Sequence, residues 1–346
     1  MSTVQVVIPC YNYGRYLRAC VASVLSQRDV DVSVLIIDDC SSDDSLEVCR
    51  ELAAEDRRVS FIHHPVNKGH IATYNEGLEL VTSDYVVLLS ADDLLTPGSL
   101  GRAADLMDKH PSVGLVYGHS LTFQEVPPST IRTRVSGWTI WPGAEWIEKM
   151  CVTGRNFIIC PEVVLRTSIQ HRIGGYDPKL PHSGDMEMWL RAAAVSDVGR
   201  IKGVDQACYR THPLSMQRTV HAGLLFDLKG RFAAFKSAFE KDAGKLPEAG
   251  RLFNDARRAL SRTAIRHLQQ SIKCGVKLED TPEAYEKFAI SMNPDLANTA
   301  EWCALERIRK QKQSRLETWV ARKLVSLRWR VTWDQWRRSG VHRYIQ

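Results

Sequence analysis

Two adjacent aspartates, Asp92 and Asp93, stand at the end of an apolar stretch that covers residues 86–89. A run of Val and Leu bounded by polar residues is typical of a strand buried on both faces. In an open parallel sheet, ligands bind outside the carboxyl ends of the strands, which is where these side chains would lie. Neighbouring carboxylates repel each other unless a cation or hydrogen-bond donors lie between them. The pattern therefore indicates a cation site, with a solvated turn as the alternative.

A second apolar stretch, residues 32–37, ends at Asp38 and Asp39. Apolar runs alternate with segments of about ten residues at helical spacing, which indicates crossover units and a parallel sheet. We therefore predict an α/β domain with two acidic strand ends. The predicted strands are 4–8, 32–37, 59–63, 85–89, 113–118, 156–160, 163–166 and 204–210; the predicted helices are 16–27, 45–54, 72–81, 100–110 and 144–151, with a loop at 138–146.

Composition limits the classes of protein to which the chain can belong. Its 346 residues suggest about two domains, and 44% hydrophobic with 25% charged residues is ordinary for a globular protein. We expect neither a secretory leader nor a spanning helix, because no apolar run approaches the roughly 18 residues required. The nine cysteines form no Cys-x-x-Cys pair. This spacing favours a reducing, cytoplasmic location over a disulfide framework or a zinc site.

A phosphate group would not be held by a glycine loop in this chain. The turn at residues 9–14 lacks G-x-G-x-x-G, and G-x-x-x-x-G-K-[ST] occurs nowhere. A diphosphate would instead need a divalent cation, which the carboxylates of Asp92 and Asp93 could hold.

Four motifs occur in a fixed order along the first hundred residues. They are Val-Val-Ile-Pro-Cys-Tyr-Asn at 6–12, Ile-Ile-Asp-Asp-Cys-Ser-Ser-Asp at 36–43, Asn-Lys-Gly at 67–69 followed by Asn75, and Leu-Leu-Ser-Ala-Asp-Asp at 88–93. This order resembles the family 2 glycosyltransferases over roughly residues 3–215. The resemblance implies the GT-A fold, a mostly parallel Rossmann-like sheet. It also implies an enzyme that moves a sugar from a UDP- or dTDP-sugar to an acceptor hydroxyl with inversion.

The resemblance assigns residues to the nucleotide sugar and to a Mn²⁺ or Mg²⁺ ion. The metal motif of the family is D-x-D, and here Ser90 replaces its first Asp, so Asp92 is the implied metal ligand. The ring of Tyr11 can stack on a base, and Asp39 can accept a hydrogen bond from the base or the ribose. Asn67 is a weaker candidate, since it can simply fix a turn with Gly69. The implied nucleotide-binding residues are Pro9, Tyr11, Asn12, Asp39, Asn67 and Asp93.

The catalytic base implied by the resemblance is Asp185, which opens the segment Gly-Asp-Met-Glu-Met-Trp-Leu-Arg at 184–191. The family often has Glu-Asp there, and this chain has Gly184 in place of the Glu. Taken without the resemblance, an Asp at a helix start is more often an N-cap. The pattern Tyr-Arg-x-His ending at His212, followed by Ser215-Met216, adds His212 as a second implied metal ligand.

The resemblance stops near residue 218, so we predict a catalytic domain at 1–218 and a helical region at 219–346, with helices at 224–239, 249–272 and 281–291. Residues 301–346 hold twelve Lys and Arg against four acids, whereas the whole chain carries +6. The last helix has an apolar stripe at Leu316, Val320, Leu324, Leu327 and Val331. The stripe fits either packing on the protein core or a membrane-surface helix. We expect no nucleic-acid partner.

The acceptor is expected to be a saccharide or a lipid-linked molecule, in polysaccharide, glycolipid or glycoconjugate synthesis. Two alternatives stay open. A sugar-1-phosphate nucleotidyltransferase should have a glycine-rich basic loop after the first strand, and residues 9–14 contain no lysine. A non-catalytic nucleotide-sugar-binding protein would need no base near the acidic strand ends.

Overall fold

The structure, a computed structural model, describes residues 1–212, 223–311 and 315–341, with the backbone alone at 315, 316 and 329. The chain divides into two compact units. Unit 1 is Met1–Trp146 with Ile158–Ser215, and unit 2 is Ile147–Phe157 with Met216–Gln346.

The centre of unit 1 is an eight-stranded sheet. Its strands are β1 (Thr3–Cys10), β2 (Asp31–Asp38), β3 (Val59–His63), β4 (Tyr85–Leu88), β6 (Val113–Tyr117), β8 (Gly137–Trp141), β9 (Val164–Arg166) and β10 (Asp197–Lys202), in the order β3-β2-β1-β4-β9-β6-β10-β8. Strands β1 to β4 run parallel, as do β6 and β10, whereas β9 and the edge strand β8 run antiparallel to their neighbours. The sheet is therefore mostly parallel, as predicted.

A second sheet of three short strands lies in the same unit. Its strands are β5 (Leu94–Leu95), β7 (Ser120–Phe123) and β11 (Ala207–Arg210), in the order β5-β11-β7. The pairing of β11 with β5 brings Arg210 to the segment that follows β4, where its backbone N–H donates to Asp93 Oδ1 at 2.7 Å.

Helices follow most strands of the chain up to residue 195. They are α1 (Gly14–Leu25), α2 (Ser45–Glu55), α3 (His70–Glu79), α4 (Ser99–Lys109), α5 (Gly143–Thr153), α6 (Thr167–Ile173) and α7 (Gly184–Val195). The predicted helices at 16–27, 45–54, 72–81 and 100–110 are confirmed within two residues at each end. Helix α1 shows why: Leu17, Val21 and Val24 recur at helical spacing, and all three are fully buried.

Two local predictions are wrong. Residues 138–146 are not simply a loop, because Gly137–Trp141 forms β8 and only then do Pro142 and Gly143 start α5. An edge strand pairs on one side only, so Pro142 and Gly143 at its end do not prevent it from forming. Residues 156–160 form no strand, and the strand predicted at 163–166 is confirmed as β9.

Unit 2 is helical in its described residues. The helices beyond residue 223 are α8 (Leu224–Glu240), α9 (Ala249–Cys274), α10 (Pro282–Met292), α11 (Ala300–Lys310) and α12 (Arg315–Ser339). Helix α9 is the longest and packs against the other four. Its apolar residues form a buried stripe that includes Leu252, Leu260, Ile265 and Leu268. The structure thus has the helical C-terminal region that the sequence predicts.

The membrane-spanning potential of these helices was assessed over the described residues. None of the described helices combines the length and the apolar character that crossing a bilayer requires.

Candidate active site

The carboxyl ends of β2, β1 and β4 lie side by side, because these strands are parallel neighbours in the sheet. Cys10 at the end of β1 pairs with Asp38 at the end of β2. Beyond β1, Tyr11 is 49% exposed, so its ring face is accessible to a ligand. Asn12 adopts a φ of 60° and its Oδ1 accepts a hydrogen bond from the Ser42 N–H at 2.8 Å, which ties the two strand ends together.

Asp39 organises the turn that precedes α3. Its carboxylate accepts hydrogen bonds from the backbone N–H groups of Lys68 at 2.8 Å and Gly69 at 2.9 Å, and lies 2.8 Å from His64 Nδ1. Burial alone would raise the pKa of Asp39, but these contacts outweigh it and lower the pKa. Asn67 closes the same turn: its side chain donates to the Asp39 carbonyl and accepts from the Gly69 N–H. Both residues thus have structural contacts, and their nucleotide-binding roles stay predictions.

Asp38 is a candidate that the sequence marks as an acidic strand end but to which it assigns no role. It is fully buried; its Oδ2 lies 2.7 Å from His63 Nδ1, and its Oδ1 has no hydrogen-bond partner among the described residues. A buried carboxylate oxygen costs free energy until a donor reaches it. The sequence signal was the Asp38–Asp39 doublet. The nucleotide-binding role was assigned to Asp39, whereas Asp38 has the carboxylate oxygen without a hydrogen-bond partner among the described residues.

Asp92 and Asp93 are both buried, with 9% and 2% of their surfaces exposed. Burial raises the pKa of Asp93 well above its ordinary value, and the negative charge of Asp92 raises it further. Burial also raises the pKa of Asp92, although the nearby His212 and Arg210 act in the opposite direction. The Arg210 guanidinium donates from Nε to the Asp92 carbonyl at 2.9 Å, so it supports the backbone of this segment. Two buried carboxylates with raised pKa values are a setting that a bound cation would stabilise.

His212, two residues after the end of β11, lies beside Asp92. Its Nε2 lies 3.3 Å from Asp92 Oδ2 and 3.2 Å from the Tyr13 hydroxyl, while its buried Nδ1 has no partner in the described ranges. No group of three or more His, Cys, Asp or Glu suited to a metal occurs among the residues that the structure describes. One carboxylate and one imidazole fit a divalent cation whose other ligands are substrate phosphates and water. Residues 215–216 of the predicted pattern lie outside the described residues.

Asp185 lies in the first turn of α7 and is not its N-cap, because that position belongs to Ser183. The Tyr176 hydroxyl donates to Asp185 Oδ1 at 2.8 Å. Burial raises the pKa of Asp185, and the hydrogen bond from Tyr176 partly offsets that rise. A carboxylate with a raised pKa is a better proton acceptor near neutral pH.

Two tyrosines, Tyr74 on α3 and Tyr209 on β11, lie in the region of the Asp92 and Asp185 carboxylates. The pKa values of both phenols are raised mainly by burial, and the negative charges of the two carboxylates raise them further.

Glu162 is another member of this region that sequence reasoning missed. It is 2% exposed, and burial raises its pKa to about 7. Its Oε1 accepts a hydrogen bond from the Ile159 N–H at 3.0 Å, and its Oε2 has no partner within the described part of the chain. Its charge also raises the pKa of Asp93. No local motif marks it, since it stands in an irregular segment.

The comparisons with known proteins match part of this chain to one family. Residues 5–166 match the sequence profile described as Glycosyl transferase family 2. The chondroitin synthase of Escherichia coli is 28% identical over 207 residues, which cover 60% of this chain and 28% of that protein. The chain thus spans less than a third of this relative.

Two solved structures share the fold. S. aureus TarS 1–349 in complex with UDP-GlcNAc has a TM-score of 0.60 at 14% identity, over 90% of this chain and 93% of that one. The Pyrobaculum calidifontis mannosyltransferase PcManGT, in complex with GDP-Man and Mn²⁺, has a TM-score of 0.52 at 16% identity, over 96% and 87% of the two chains. These likenesses show the GT-A fold. Residues 5–166 of the chain therefore match glycosyl transferase family 2, and the remaining residues lie outside that match.

Proposed function

We propose that the chain is an inverting glycosyltransferase that moves a sugar from a UDP- or dTDP-sugar to an acceptor hydroxyl, with Asp185 as the general base. The observation that carries this proposal is the buried pair of Asp92 and His212, 3.3 Å apart, in the same unit as the buried Asp185 carboxylate, which accepts a hydrogen bond from Tyr176. A base on one side of the anomeric carbon and a site for the leaving diphosphate on the other are what inversion requires.

The donor would bind at the strand ends. Tyr11 offers an exposed ring for the base, next to Pro9 and Asn12, and Asp39, Asn67 and Asp93 are the remaining proposed nucleotide contacts. Asp92 and His212 would hold a Mn²⁺ or Mg²⁺ ion, which supplies positive charge to the departing diphosphate when bound. That fold neighbours bind UDP-GlcNAc, and GDP-Man with Mn²⁺, supports a nucleotide-sugar donor with a cation.

Asp185 would take the proton of the acceptor hydroxyl as that oxygen attacks the anomeric carbon. General-base catalysis of this kind typically contributes about 10²–10⁴-fold to the rate. The raised pKa of Asp185 suits this role, because a stronger base accepts the proton more readily. The E. coli relative, named a chondroitin synthase, supports a saccharide acceptor. No described feature favours a nucleotidyltransferase.

Two substitutions separate the base from the metal site. Asp185→Asn keeps the shape of the side chain, so we expect nucleotide binding to persist while turnover falls at least about 10²-fold. Asp92→Asn should instead weaken the Mn²⁺-dependent part of UDP binding measured by calorimetry. Asp105→Asn, on the exposed face of α4, is the control and should change neither quantity.

The wild-type assay is a screen of nucleotide sugars for Mn²⁺- or Mg²⁺-dependent hydrolysis and transfer. Wild-type protein that binds nucleotide sugars but turns none over would refute the enzyme and favour the binding-protein alternative. Equal turnover in wild type and Asp185→Asn would remove Asp185 from the mechanism. Equal metal dependence in wild type and Asp92→Asn would remove the metal role.

We also propose that α12 binds the cytoplasmic face of an anionic membrane, where a lipid-linked acceptor would lie. All nine cysteines are free thiols, which supports a reducing compartment. Four apolar residues at helical spacing share one face of α12 and are between 41% and 57% exposed: Val320, Leu324, Leu327 and Val331. Their exposure supports the membrane alternative over core packing, and Leu316 lies outside the described side chains. The opposite face packs through Trp336, which is 2% exposed.

Exposed basic side chains flank this apolar face and match the charge of anionic lipids. Lys323, Arg328 and Arg330 are exposed, and Lys323 Nζ lies 5.7 Å from the centre of the Trp319 ring. Each basic residue near an anionic surface contributes about 1 kcal/mol to binding. Aromatic and basic residues around an apolar stripe are typical of helices that lie in the membrane interface.

Co-sedimentation of the full chain with phosphatidylserine-containing vesicles tests this surface. We expect binding at low salt, release at high salt and no binding to vesicles of phosphatidylcholine alone. The double substitution Leu324→Asp with Leu327→Asp should abolish binding, whereas Ile290→Asp, at a residue 49% exposed on α10, should not. Absence of pelleting with anionic vesicles at low salt would refute membrane binding.

A further inference from the structure

We infer that Tyr176 is a positioning residue, which holds the Asp185 carboxylate in one orientation for proton abstraction. This inference rests on the proposed function, because it concerns the proposed base. Tyr176 belongs to no motif that the sequence marks, and its hydroxyl donates a hydrogen bond to the carboxylate at 2.8 Å. Contacts with Asn75, Arg191 and Gly184 fix this donor in place.

Tyr176 is clamped through its backbone by α3. Asn75 Nδ2 donates to the Tyr176 carbonyl at 2.9 Å, and the Tyr176 N–H donates to Asn75 Oδ1 at 2.6 Å. Two bonds between one amide side chain and one peptide fix both the position and the direction of that peptide. Gly175 permits the approach, because a Cβ there would lie 2.3 Å from Asn75 Oδ1.

The helix that carries Asp185 also holds the turn that carries Tyr176. Arg191, six residues along α7, donates from Nη2 to the Gly175 carbonyl at 2.7 Å and from Nη1 to the Ile173 carbonyl. Its Nε and Nη2 also contact Glu187 at 2.9 and 2.8 Å, inside the protein. Helix α7 therefore carries Asp185 and also holds the turn that carries its hydrogen-bond donor, Tyr176.

Gly184 explains why this chain lacks the glutamate that the family often has before the base. A Cβ at position 184 would lie 2.8 Å from Cδ1 of the Tyr176 ring, closer than carbon atoms pack. The ring thus occupies the space that a larger residue would need. The close contact of the Tyr176 ring therefore requires a residue without a side chain at position 184.

Several other titratable groups act on the Asp185 carboxylate. Positive charge on His70 or His182 would lower its pKa, and burial is the dominant influence in the opposite direction. Further groups within electrostatic range are Tyr74, Cys160, Glu162 and Tyr209. Since Tyr176 donates to the charged form, removing this donor should raise the pKa of Asp185.

The test measures the pH dependence of kcat/KM and the titration of the carboxylate itself. We expect Tyr176→Phe, which keeps the ring and removes the donating hydroxyl, to move the acid limb of kcat/KM to higher pH and to lower kcat by up to about 10²-fold, with donor KM little changed.

NMR of aspartate labelled with ¹³C, with the Asp185 signal assigned by its loss in Asp185→Asn, separates this inference from the proposed function. An upward shift of the Asp185 titration in Tyr176→Phe, without a shift in Tyr85→Phe, supports the inference whether or not the enzyme turns over a donor. Tyr85 is a matched control because its buried hydroxyl donates to another carboxylate, Asp108, at 2.5 Å. An unchanged Asp185 titration in Tyr176→Phe would overturn the inference.

Discussion

The buried ion pair of α7 allows a sharp test of how the fold supports the proposed base. Arg191 is 2% exposed and Glu187 is fully buried, and they meet at 2.8 Å over one helical turn. Arg191→Met would remove the cation that neutralises Glu187 and the donors to two backbone carbonyls. Breaking a buried pair from one side costs about 3–5 kcal/mol. For a domain of about 200 residues, this corresponds to a fall of roughly 6–20 °C in Tm.

The double substitution Arg191→Met with Glu187→Leu should recover much of that stability, because an apolar pair leaves no charge to be desolvated. It should not recover turnover, since the Gly175 carbonyl still lacks the Arg191 donor that holds the turn of Tyr176. Stability and activity would then separate in one variant. The exposed pair Asp105–Lys109 has the same spacing, and Lys109→Met should cost at most about 0.5 kcal/mol.

Thermal unfolding followed by circular dichroism, together with donor turnover, measures both effects. A loss below about 1 kcal/mol in Arg191→Met would mean that the pair contributes no more than a surface pair does. A double variant no more stable than the single one would contradict the desolvation argument. A double variant with full turnover would show that the turn does not need Arg191.

Two further substitutions test the buried groups of each unit. Burial raises the pKa of Glu162 from 4.5 to about 7, so its contribution to stability is present below pH 4.5 and is lost as the pH rises through about 7. Denaturant unfolding should therefore show that Glu162→Gln gains stability relative to wild type as the pH rises from 4.5 to about 7. A stability difference that does not change with pH would contradict the shift. Trp336 is 2% exposed and its Nε1 donates to the Phe157 carbonyl at 2.9 Å, so Trp336→Ala should cost about 3–5 kcal/mol of unfolding free energy, whereas a loss below about 1 kcal/mol would mean that α12 is held by other contacts.

The strand ends could be predicted because the central strands are buried on both faces. Such strands are unbroken apolar runs, so the polar residues that end them stand out in the sequence. That is why Asp38, Asp39, Asp92 and Asp93 were found. The pattern could not tell which member of a doublet is engaged by the fold, since this depends on donors such as the Lys68 and Gly69 N–H groups in a later turn.

The partners of Asp185 could not be predicted for a similar reason. Tyr176 donates to Asp185 across a turn, and it is held there by Asn75, which is 101 residues away in sequence. Neither contact follows a helical or strand period, so no periodicity marks it. The edge strand β8 was missed because it is short and followed by Pro142 and Gly143, which dominate the local pattern.

Three aspartates with the same intrinsic acidity are given different chemistry by their surroundings. Asp39 accepts two backbone N–H bonds and lies against His64. These contacts lower its pKa, so the charged carboxylate holds the turn that precedes α3. Asp92 is buried beside another carboxylate, so it gains most from a cation. Asp185 is buried with one neutral donor, the Tyr176 hydroxyl, and burial raises its pKa. A raised pKa suits the proposed role of base, because a carboxylate whose charged form is stabilised, as that of Asp39 is, accepts a proton less readily.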